Sequence, residues 1–299
     1  MKIFSYDHLT FPLPASHRFP VEKYRLLRQR TNDLVGIELH TPSPAPVFHL
    51  RKAHTPEYVD RVLNGRLSPE EIRRIGLPWS PELVERVLAS VGATTAVCRI
   101  ALNDGIAISL GGGTHHACRA EGQGFCIFND IMVALRVMQA EGRIRRALVV
   151  DCDVHQGNGT AEIAQGDSTI FTFSLHGEKN FPYRKISGDL DIGLPDKTGD
   201  EDYLAALRTG LTIALARSQP DMVVYLAGAD VHERDRLGRL ALTKAGIAAR
   251  DQLVLARCQQ AGLPVAITMA GGYGRDIQDT VEIQFQTVQL ALAAYRHGR

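Results

Sequence analysis

Short apolar segments alternate with longer amphipathic segments along the chain from about residue 81 onward. The apolar segments are rich in β-branched residues and end in Gly or Asp, which is typical of strands buried on both faces of a sheet. They predict strands at 106–110, 147–150, 169–174, 222–226 and 265–269. The segments between them have helical periodicity and predict helices at 81–102, 128–141, 201–217, 243–261 and 276–295. Pro81 suits the first position of its helix, and Thr243 suits an N-cap.

This alternation of strands and helices predicts an α/β fold with a mostly parallel sheet and right-handed crossovers. We expect residues 1–80 to add an edge strand near residues 3–6 together with capping loops. The Pro-rich segment at 41–46 is short enough to be a surface loop. The whole chain, 1–299, is therefore predicted to form one doubly wound domain. In open sheets of this kind, ligands bind beyond the carboxyl ends of the strands.

Composition and charge exclude several classes of protein. With 299 residues, 44% of them hydrophobic, the chain can bury a large core, so a metal is not required for folding. The 34 Lys and Arg residues nearly balance the 33 Asp and Glu residues, which argues against nucleic acid as a partner. No apolar run approaches the roughly 20 residues that a membrane helix needs, and the first residues do not resemble a signal peptide. The five cysteines form no CxxC pair, so we expect a cytoplasmic protein without disulfides or membrane contact.

A candidate metal site follows two of the predicted strands. In the segment DCDVH, the alternation of an extended chain places Asp151, Asp153 and His155 on one side. Asp230 follows another apolar strand, in LAGAD. Asp153, His155 and Asp230 would provide three ligands and leave a position open, which is the pattern of a catalytic metal site. Each segment alone would also fit a polar loop or a helix cap, and the ligand set suits Zn²⁺, Fe²⁺, Co²⁺ or Mn²⁺ alike.

Two further loops supply candidate acid–base groups. The segment GGGTHH places two imidazoles, His115 and His116, after a glycine turn, where one could act as a general base. Asp151 is a natural hydrogen-bond partner for one of them. Tyr273 follows the last predicted strand in AGGYG, and its hydroxyl could donate to an oxyanion. A metal, a base and an oxyanion donor together indicate metal-assisted hydrolysis.

These motifs resemble, in their order and spacing, those of the metal-dependent histone deacetylase superfamily. The segments that carry the resemblance are GGGTHHA, GQGFCIFND, DCDVHQGNG, SLHG, AGAD, DRLGRL and AGGYG, and the match extends from about His54 to the end of the chain. HQGNG, DRLGRLALT and HRFPVEKYRLL look most like the class IV branch and its bacterial relatives. The resemblance implies the arginase/deacetylase α/β fold, built around an eight-stranded parallel sheet.

The resemblance also implies a role for individual residues. The implied zinc ligands are Asp153, His155 and Asp230. His115 and His116 correspond to the tandem histidines, with His116 as the base and acid. Tyr273 corresponds to the hydroxyl that polarises the acyl carbonyl. Fe²⁺ or Co²⁺ in place of Zn²⁺ would suit the same ligands.

An acyl-binding tunnel and a second cation are implied as well. Phe125 and Phe181 correspond to the aromatic walls of the tunnel, and Gly124 to its narrow point. Family members also bind a structural monovalent cation, K⁺, near the positions of Asp151, Asp153, His155, Ser174 and Leu175. Backbone carbonyls provide much of the ligation at that cation.

One position departs from the family pattern. Many deacetylases place an aspartate behind the second histidine, where this chain has Asn158. Without that negative partner the imidazolium is less stable, so we expect a lower pKa for His116 than in such relatives. Arg234 adds a positive charge to a rim loop after Asp230, and we interpret it as solvated.

The favoured function is removal of an acyl group from an acyl-lysine in a protein or peptide, or from a small N-acyl amine. Acetyl and long-chain acyl groups are both compatible with the sequence, and so is an acetylpolyamine substrate. An arginase-like ureohydrolase is less favoured, because Gln156, Gly157 and Asn158 stand where a second metal would need carboxylates. A catalytically silent binding module is disfavoured because all three candidate ligands, both histidines and Tyr273 are present.

Overall fold

The computed structural model describes residues 1–297, and within them the chain forms eight strands and ten helices. The strands are β1 (Lys2–Phe4), β2 (Glu38–His40), β3 (Ile106–Ser109), β4 (Ala147–Asp151), β5 (Ile170–Gly177), β6 (Leu190–Leu194), β7 (Met222–Leu226) and β8 (Val265–Thr268). The helices are α1 (Glu22–Asn32), α2 (Val47–Leu50), α3 (Pro56–Leu63), α4 (Pro69–Ile75), α5 (Pro81–Asp104), α6 (Asp130–Ala140), α7 (Asn158–Ala164), α8 (Asp200–Ser218), α9 (Lys244–Gln260) and α10 (Ile277–His297).

The strands form one parallel sheet in the order β2-β1-β3-β8-β7-β4-β5-β6. Helices cover both faces, so alternate residues of a central strand enter different cores. On β4, Val149 packs in the core that contains α5 and α6, whereas Val150 packs in the core that contains α8, α9 and α10. The predicted α/β fold around an eight-stranded sheet is confirmed, and the sheet is parallel throughout.

The five strands and five helices predicted from the apolar pattern are all present close to their predicted bounds. Pro81 is the first residue of α5, as predicted. Thr243 caps α9, because its side chain accepts a hydrogen bond from the backbone N–H of Gly246 at 3.0 Å. The pattern succeeds here because buried parallel strands are continuously apolar and their crossover helices are long.

A strand does form near residues 3–6, as predicted, but its predicted place at the edge of the sheet is wrong. β1 lies between β2 and β3, and β2 is the strand at the edge. β2 has only three residues, with one apolar side chain at Leu39, so no hydrophobic alternation reveals it in the sequence. The opposite edge, β6, is interrupted by Asp191 and Gly193 and is equally hard to predict. Edge strands make fewer apolar contacts, so their sequences are less constrained.

The four central strands carry the loops that contain the candidate catalytic motifs. β3, β8, β7 and β4 are consecutive neighbours in the sheet. Their carboxyl ends lead into GGGTHH, AGGYG, AGAD and DCDVH respectively. Because parallel strands end at the same edge of a sheet, four loops that are distant in sequence meet there.

All five cysteines are free and buried. Burial raises the pKa of the Cys152 thiol to about 12, so this thiol beside the candidate metal ligands is neutral at physiological pH. Within residues 1–297, no helix is both long enough and apolar enough to cross a bilayer.

Candidate active site

Asp153, His155 and Asp230 lie together just beyond the carboxyl ends of β4 and β7. Each offers one ligand atom, and these atoms lie within 4.8 Å of one another in a buried cluster. Nδ1 of His155 is 2.9 Å from Oδ1 of Asp153 and 3.4 Å from Oδ2 of Asp230. The backbone N–H of Val154 donates to Asp230 at 2.9 Å, and that of Gly271 donates to Asp153 at 2.8 Å. The three side chains that the sequence predicts as ligands are thus brought together and held in place by the backbone.

This cluster has the properties of a cation site. Oδ2 of Asp230 is buried without a hydrogen-bond partner among the described residues. Burial and the neighbouring Asp153 raise the pKa of Asp230 to about 7, because two carboxylates lie close together in a buried site. A Cβ at Gly271 would overlap carboxylate oxygens of both aspartates, so this glycine keeps the space between them open. A divalent cation would relieve the repulsion and satisfy the unpaired oxygen, so these residues fit a metal ion.

His115 and His116 lie side by side, with ring centroids 4.1 Å apart, but in different electrostatic surroundings. Nδ1 of His115 is 2.6 Å from Oδ2 of Asp151. Burial alone would lower the pKa of His115, but the negative charges of Asp151 and Asp153 raise it to about 9. Nδ1 of His116 is 2.7 Å from Oδ1 of Asn158. Burial, together with the two neighbouring imidazoles, holds the pKa of His116 well below its usual range, so His116 is suited to accept a proton.

Tyr273 lies on the loop after β8 and lines the same cavity as the two histidines. Its backbone N–H donates to Oδ2 of Asp235 at 2.6 Å. Asp235 also accepts hydrogen bonds from the backbone N–H groups of Leu237 and Gly238, so one buried carboxylate joins two loops. Burial raises the pKa of Tyr273 well above its usual value, and the carboxylates of the cluster add to this effect. The phenol therefore keeps its proton and can donate it in a hydrogen bond.

Aromatic side chains narrow the cavity beside the histidines. The ring of Phe181 stands edge-on to His116, with centroids 4.9 Å apart, and the ring of Phe125 lies 5.9 Å from that of Tyr273. Gly124 has φ +55°, and a Cβ there would come within 2.7 Å of the His116 ring. Both the backbone conformation and the available space therefore require glycine at this position. Gly124, Phe125 and Phe181 thus line the same cavity.

Two buried cations line the inner part of the cavity, whose total volume is about 550 Å³. Lys23 is 2% exposed, and its Nζ lies 3.4 Å from the carbonyl of Gly272. Arg86 donates through Nη1 to the carbonyl of Leu9 at 2.6 Å, and its guanidinium lies 4.3 Å from the Tyr24 ring centroid, but its Nη2 is buried without a hydrogen-bond partner among the described residues. Sequence reasoning missed both residues. Lys23 lies in the HRFPVEKYRLL segment, whose resemblance indicated a branch of the family but no role, and Arg86 lies in a helix with no distinguishing pattern.

Exposed cations surround the open end of the cavity. Lys179, Arg236 and Arg275 are exposed lining residues. Nη2 of Arg236 donates to the backbone carbonyl of Arg275 at 2.9 Å, so these two lining residues are neighbours. Arg234, interpreted as solvated, lies 3.6 Å from Asp279 and is not among the residues that line the cavity. The positive charge at the opening therefore comes from Lys179, Arg236 and Arg275. Arg234, the rim residue that the sequence indicated, does not line the cavity.

The residues implied as monovalent-cation ligands also lie near one another. Asp151 and Ser174 are paired in register on β4 and β5. Oγ of Ser174 lies 2.9 Å from Nδ1 of His176, and Oδ1 of Asp151 accepts from the backbone N–H of Asp153 at 3.1 Å. The presence of K⁺ stays a prediction.

Known proteins resemble this chain in sequence and in fold. The histone deacetylase domain model matches residues 17–287 of the chain. An uncharacterised protein from Picosynechococcus sp. is 45% identical over 278 residues, which are 92% of each chain. Histone deacetylase 2 of Arabidopsis thaliana is 32% identical over 200 residues, which are 64% of this chain and 51% of that protein, so the chain spans about half the length of this relative. The crystal structure of a histone deacetylase homologue from Aquifex aeolicus matches with a TM-score of 0.81 and 20% identity, covering 97% of this chain and 83% of that chain, which shows a shared fold.

Proposed function

Because the chain belongs to the histone deacetylase family and is a hydrolase of that type, we propose that it removes the acyl group from an acyl-lysine with the help of one metal ion. The observation that carries this proposal is the Asp153, His155 and Asp230 cluster, with ligand atoms within 4.8 Å of one another and one buried carboxylate oxygen that makes no hydrogen bond. Zn²⁺ is the metal that we propose, and Fe²⁺ or Co²⁺ would suit the same donors. When bound, the ion would polarise the acyl carbonyl and lower the pKa of a water molecule.

His116 is the proposed proton carrier. Its Nδ1–H donates to Asn158 Oδ1 at 2.7 Å, which leaves the lone pair of Nε2 free to accept the proton of the attacking water. The water oxygen forms the new bond to the acyl carbon, the carbon–nitrogen bond breaks, and His116 delivers the proton to the departing amine. The low pKa of His116 keeps it neutral before the reaction. His115, held by Asp151, provides a neighbouring positive charge.

Tyr273 is the proposed hydrogen-bond donor to the acyl oxygen. Its hydroxyl stays protonated because burial raises its pKa, and the contact of its backbone with Asp235 fixes the loop that carries it. A donor aimed at an oxygen that gains negative charge lowers the barrier of acyl transfer. Phe125 and Phe181 would enclose the aliphatic part of the lysine side chain between their rings.

The inner cavity is suited to the acid that is formed. Lys23 and Arg86 lie at its buried part, and Nη2 of Arg86 is unpaired. A carboxylate is an anion with two acceptor oxygens, so either cation could bind it as it leaves the reaction centre. The apolar side chains in the same region, Phe11 and Leu83 among them, would accommodate an acyl chain longer than acetyl.

The charge at the opening favours an acyl-lysine in a peptide over an acetylpolyamine. A polyamine retains one or more ammonium groups beside the scissile amide, and these would lie near Lys179, Arg236 and Arg275. Like charges repel each other, which would lower both the affinity and the rate of encounter. A peptide need not carry a positive charge beside the acylated lysine, and acidic residues there would increase its affinity for the opening.

The remaining alternatives have less support. A ureohydrolase with two metal ions needs a second group of carboxylates, and residues 1–297 contain one group of three metal-ligand side chains within reach of each other. Membership of the class IV branch, the one-domain organisation, the structural K⁺ and a cytoplasmic location remain proposals that rest on the sequence.

The decisive experiment uses one lysine peptide carrying a series of acyl chains from acetyl to myristoyl, incubated with the protein before and after chelator treatment. We expect hydrolysis of at least one peptide, loss of activity with the chelator and recovery with Zn²⁺, Fe²⁺ or Co²⁺. The matched control is the Asp230→Ala protein, which should be inactive under every condition and so excludes a contaminating hydrolase. Chelator-insensitive activity, or no hydrolysis of any peptide by the metal-loaded protein, would contradict the proposal.

A further inference from the structure

An ion pair without solvent contact lies inside the molecule on the side of α9 that faces the sheet. Arg250 is 0% exposed and Asp251 is 1% exposed. Nε of Arg250 donates to Oδ1 of Asp251 at 2.9 Å, and Nη2 lies 2.8 Å from the same oxygen. Two adjacent charged residues in the middle of a helix would ordinarily lie on its solvent face, so the sequence gives no sign of this arrangement.

The guanidinium joins the two loops that carry the candidate metal ligands. Nη1 of Arg250 donates to the backbone carbonyl of Cys152 at 3.2 Å and to that of Gly228 at 2.5 Å. Cys152 directly precedes Asp153, and Gly228 lies two residues before Asp230. One planar group with fixed donor directions therefore sets the distance between two carbonyls that belong to different strands.

The two loops lie in close contact at the point where Arg250 holds them. A Cβ at Gly228 would come within 2.6 Å of the Cα of Asp153, so the backbones are as near as a glycine allows. Because the two backbones are in contact there, a separation of these loops would change the distance between Asp153 and Asp230.

Asp251 is held as firmly as its partner. Its Oδ1 accepts from the Tyr225 hydroxyl at 2.5 Å, and its Oδ2 accepts from the Thr287 hydroxyl at 2.6 Å. Tyr225 belongs to β7 and Thr287 to α10, so the carboxylate is anchored to the sheet and to a second helix. The position of Arg250 is therefore fixed by contacts among α9, β7 and α10.

We infer that Arg250, oriented by Asp251, is a positioning residue that sets the spacing of the metal ligands Asp153 and Asp230. A buried ion pair is seldom needed for stability, because apolar side chains of similar volume stabilise a core as well or better. The fixed donor directions of the Arg250 guanidinium, in contrast, have a specific effect here, because they hold two ligand-bearing loops at a fixed separation. The inference rests on the part of the proposed function that concerns the metal ion and is independent of the substrate.

The test measures metal affinity and ligand geometry separately from activity. The double variant Arg250→Met with Asp251→Asn removes both charges at nearly constant volume, and Arg250→Lys keeps the charge but loses the planar fork. Each protein is titrated with Co²⁺ against a competing chelator, and the visible spectrum of bound Co²⁺ reports the coordination geometry. We expect the dissociation constant to rise about 10- to 100-fold in the double variant, with a changed spectrum. Arg250→Lys should give a smaller change in the same direction.

Val254→Ala is the matched control. Val254 is a fully buried residue of the same helix, so its truncation destabilises the protein through a cavity while leaving the Arg250 contacts in place. We expect a lower melting temperature of the metal-free protein, with unchanged Co²⁺ affinity and spectrum. If the double variant fails to fold, Arg250→Lys against Val254→Ala gives the same comparison.

Two results from the variants would overturn the inference. One is an unchanged Co²⁺ affinity and spectrum in folded Arg250 variants. The other is an equal loss of affinity in Val254→Ala, which would make the effect one of general stability. A wild-type protein that binds Co²⁺ but hydrolyses no acyl-lysine would contradict the proposed activity alone. A wild-type protein that binds no Co²⁺ would overturn both.

Discussion

Nδ1 of His116 lies 2.7 Å from Oδ1 of Asn158, so the second of the tandem histidines donates to a neutral amide and not to a carboxylate. The first histidine, His115, has the opposite arrangement, since its Nδ1 lies 2.6 Å from a carboxylate oxygen of Asp151. The two imidazoles are adjacent in sequence and in space, yet the pKa of His115 is raised to about 9 and that of His116 is held well below its usual range. The difference arises from their partners as well as from mutual repulsion, because a second imidazolium beside the first is unfavourable.

Replacing Asn158 by Asp should reverse part of this difference. A carboxylate at that position would stabilise the imidazolium form of His116 and raise its pKa. His116 must be neutral to accept a proton, so the acidic limb of the kcat/KM profile should move to higher pH by roughly 1 to 3 units. The measurement is the pH–rate profile of the metal-loaded protein. An acidic limb at the same pH in Asn158→Asp would refute the assignment of His116 as the base.

Replacing Tyr273 by Phe should slow turnover with little effect on substrate binding. The hydroxyl donates to an oxygen whose negative charge develops only during the reaction, so its loss raises the barrier and leaves the ground state nearly unchanged. We expect kcat to fall by about 100- to 1,000-fold at a similar KM. The comparison is made by steady-state kinetics on one acyl-lysine peptide. Wild-type turnover in Tyr273→Phe would rule out this role for the hydroxyl.

Replacing Gly271 by Ala should abolish metal binding. A Cβ there would overlap carboxylate oxygens of Asp230 and Asp153, so the ligands would have to move apart. The bound metal, measured by elemental analysis after dialysis, should fall from one ion per chain to nearly none. Gly199→Ala is the control, because a Cβ at Gly199 meets no atom within 4 Å and should leave the metal content unchanged. Full metal content in a folded Gly271→Ala protein would mean that the ion binds elsewhere.

Reversing the charge at the opening should alter the choice of substrate. Lys179 and Arg275 are exposed at the mouth of the cavity, and we expect them to favour peptides with acidic residues beside the acyl-lysine. The double variant Lys179→Glu with Arg275→Glu should lower kcat/KM for a Glu-flanked peptide and raise it for a Lys-flanked one. The ratio of the two values should change by about tenfold at low salt and by less at high salt. Lys52→Glu, an exposed change outside the cavity lining, is the control. An unchanged ratio in the double variant would mean that the charges at the opening have no part in selection.

Acid should destabilise the protein through His54. This buried imidazole lies 2.9 Å from the carbonyl of Cys118 through Nδ1, and its Nε2 accepts the backbone N–H of Asn129 at 2.9 Å, so only the neutral ring fits. Burial lowers the pKa of His54 to about 4. In the unfolded chain the same imidazole binds a proton near pH 6.5. The contribution of neutral His54 to the free energy of unfolding is therefore fully present above that pH and is lost as the pH falls toward 4. The loss between pH 7 and pH 5 should be about 2 kcal/mol.

The measurement for His54 is urea unfolding of the metal-free protein at several pH values. His54→Gln can keep both hydrogen bonds without titrating, so its free energy of unfolding should fall less over the same range. His8→Gln, at an exposed position, should behave as the wild type does. Equal pH dependence in wild type and His54→Gln would show that another group is responsible.

The central half of the sheet could be predicted from the sequence because its strands are continuously apolar. β4 is buried at all five positions and β7 likewise, and such segments differ clearly from the amphipathic helices that follow them. The edges could not be predicted in the same way. β2 has the sequence ELH, which is too short to show a strand period. β6 has LDIGL, whose apolar residues do alternate, but the segment is only five residues long and contains Asp and Gly, which are disfavoured in strands.

The candidate ligands could be predicted because each follows an apolar strand in a short polar motif. The supporting residues could not, because their role depends on what packs against them. Lys23 looks like a surface lysine in an amphipathic segment, but the fold turns it into the cavity. Arg250 and Asp251 read as an exposed pair on α9, and only the positions of Cys152, Gly228 and Tyr225 reveal that they face inward. Contacts between residues far apart in sequence leave no local signal.

The order of strands in the sheet bears on when the site can form during synthesis. β7 and β8 are made last, yet they occupy the middle of the sheet, between β3 and β4. Without them, β1–β3 and β4–β6 share no hydrogen-bonded edge, so the earlier part of the chain can form only two separate half-sheets. Asp153 belongs to one half and Asp230 follows a strand inserted afterwards. A growing polypeptide on the ribosome therefore cannot assemble the ligand cluster until its final third has emerged. Removing that third would take away the two central strands of the sheet, β7 and β8.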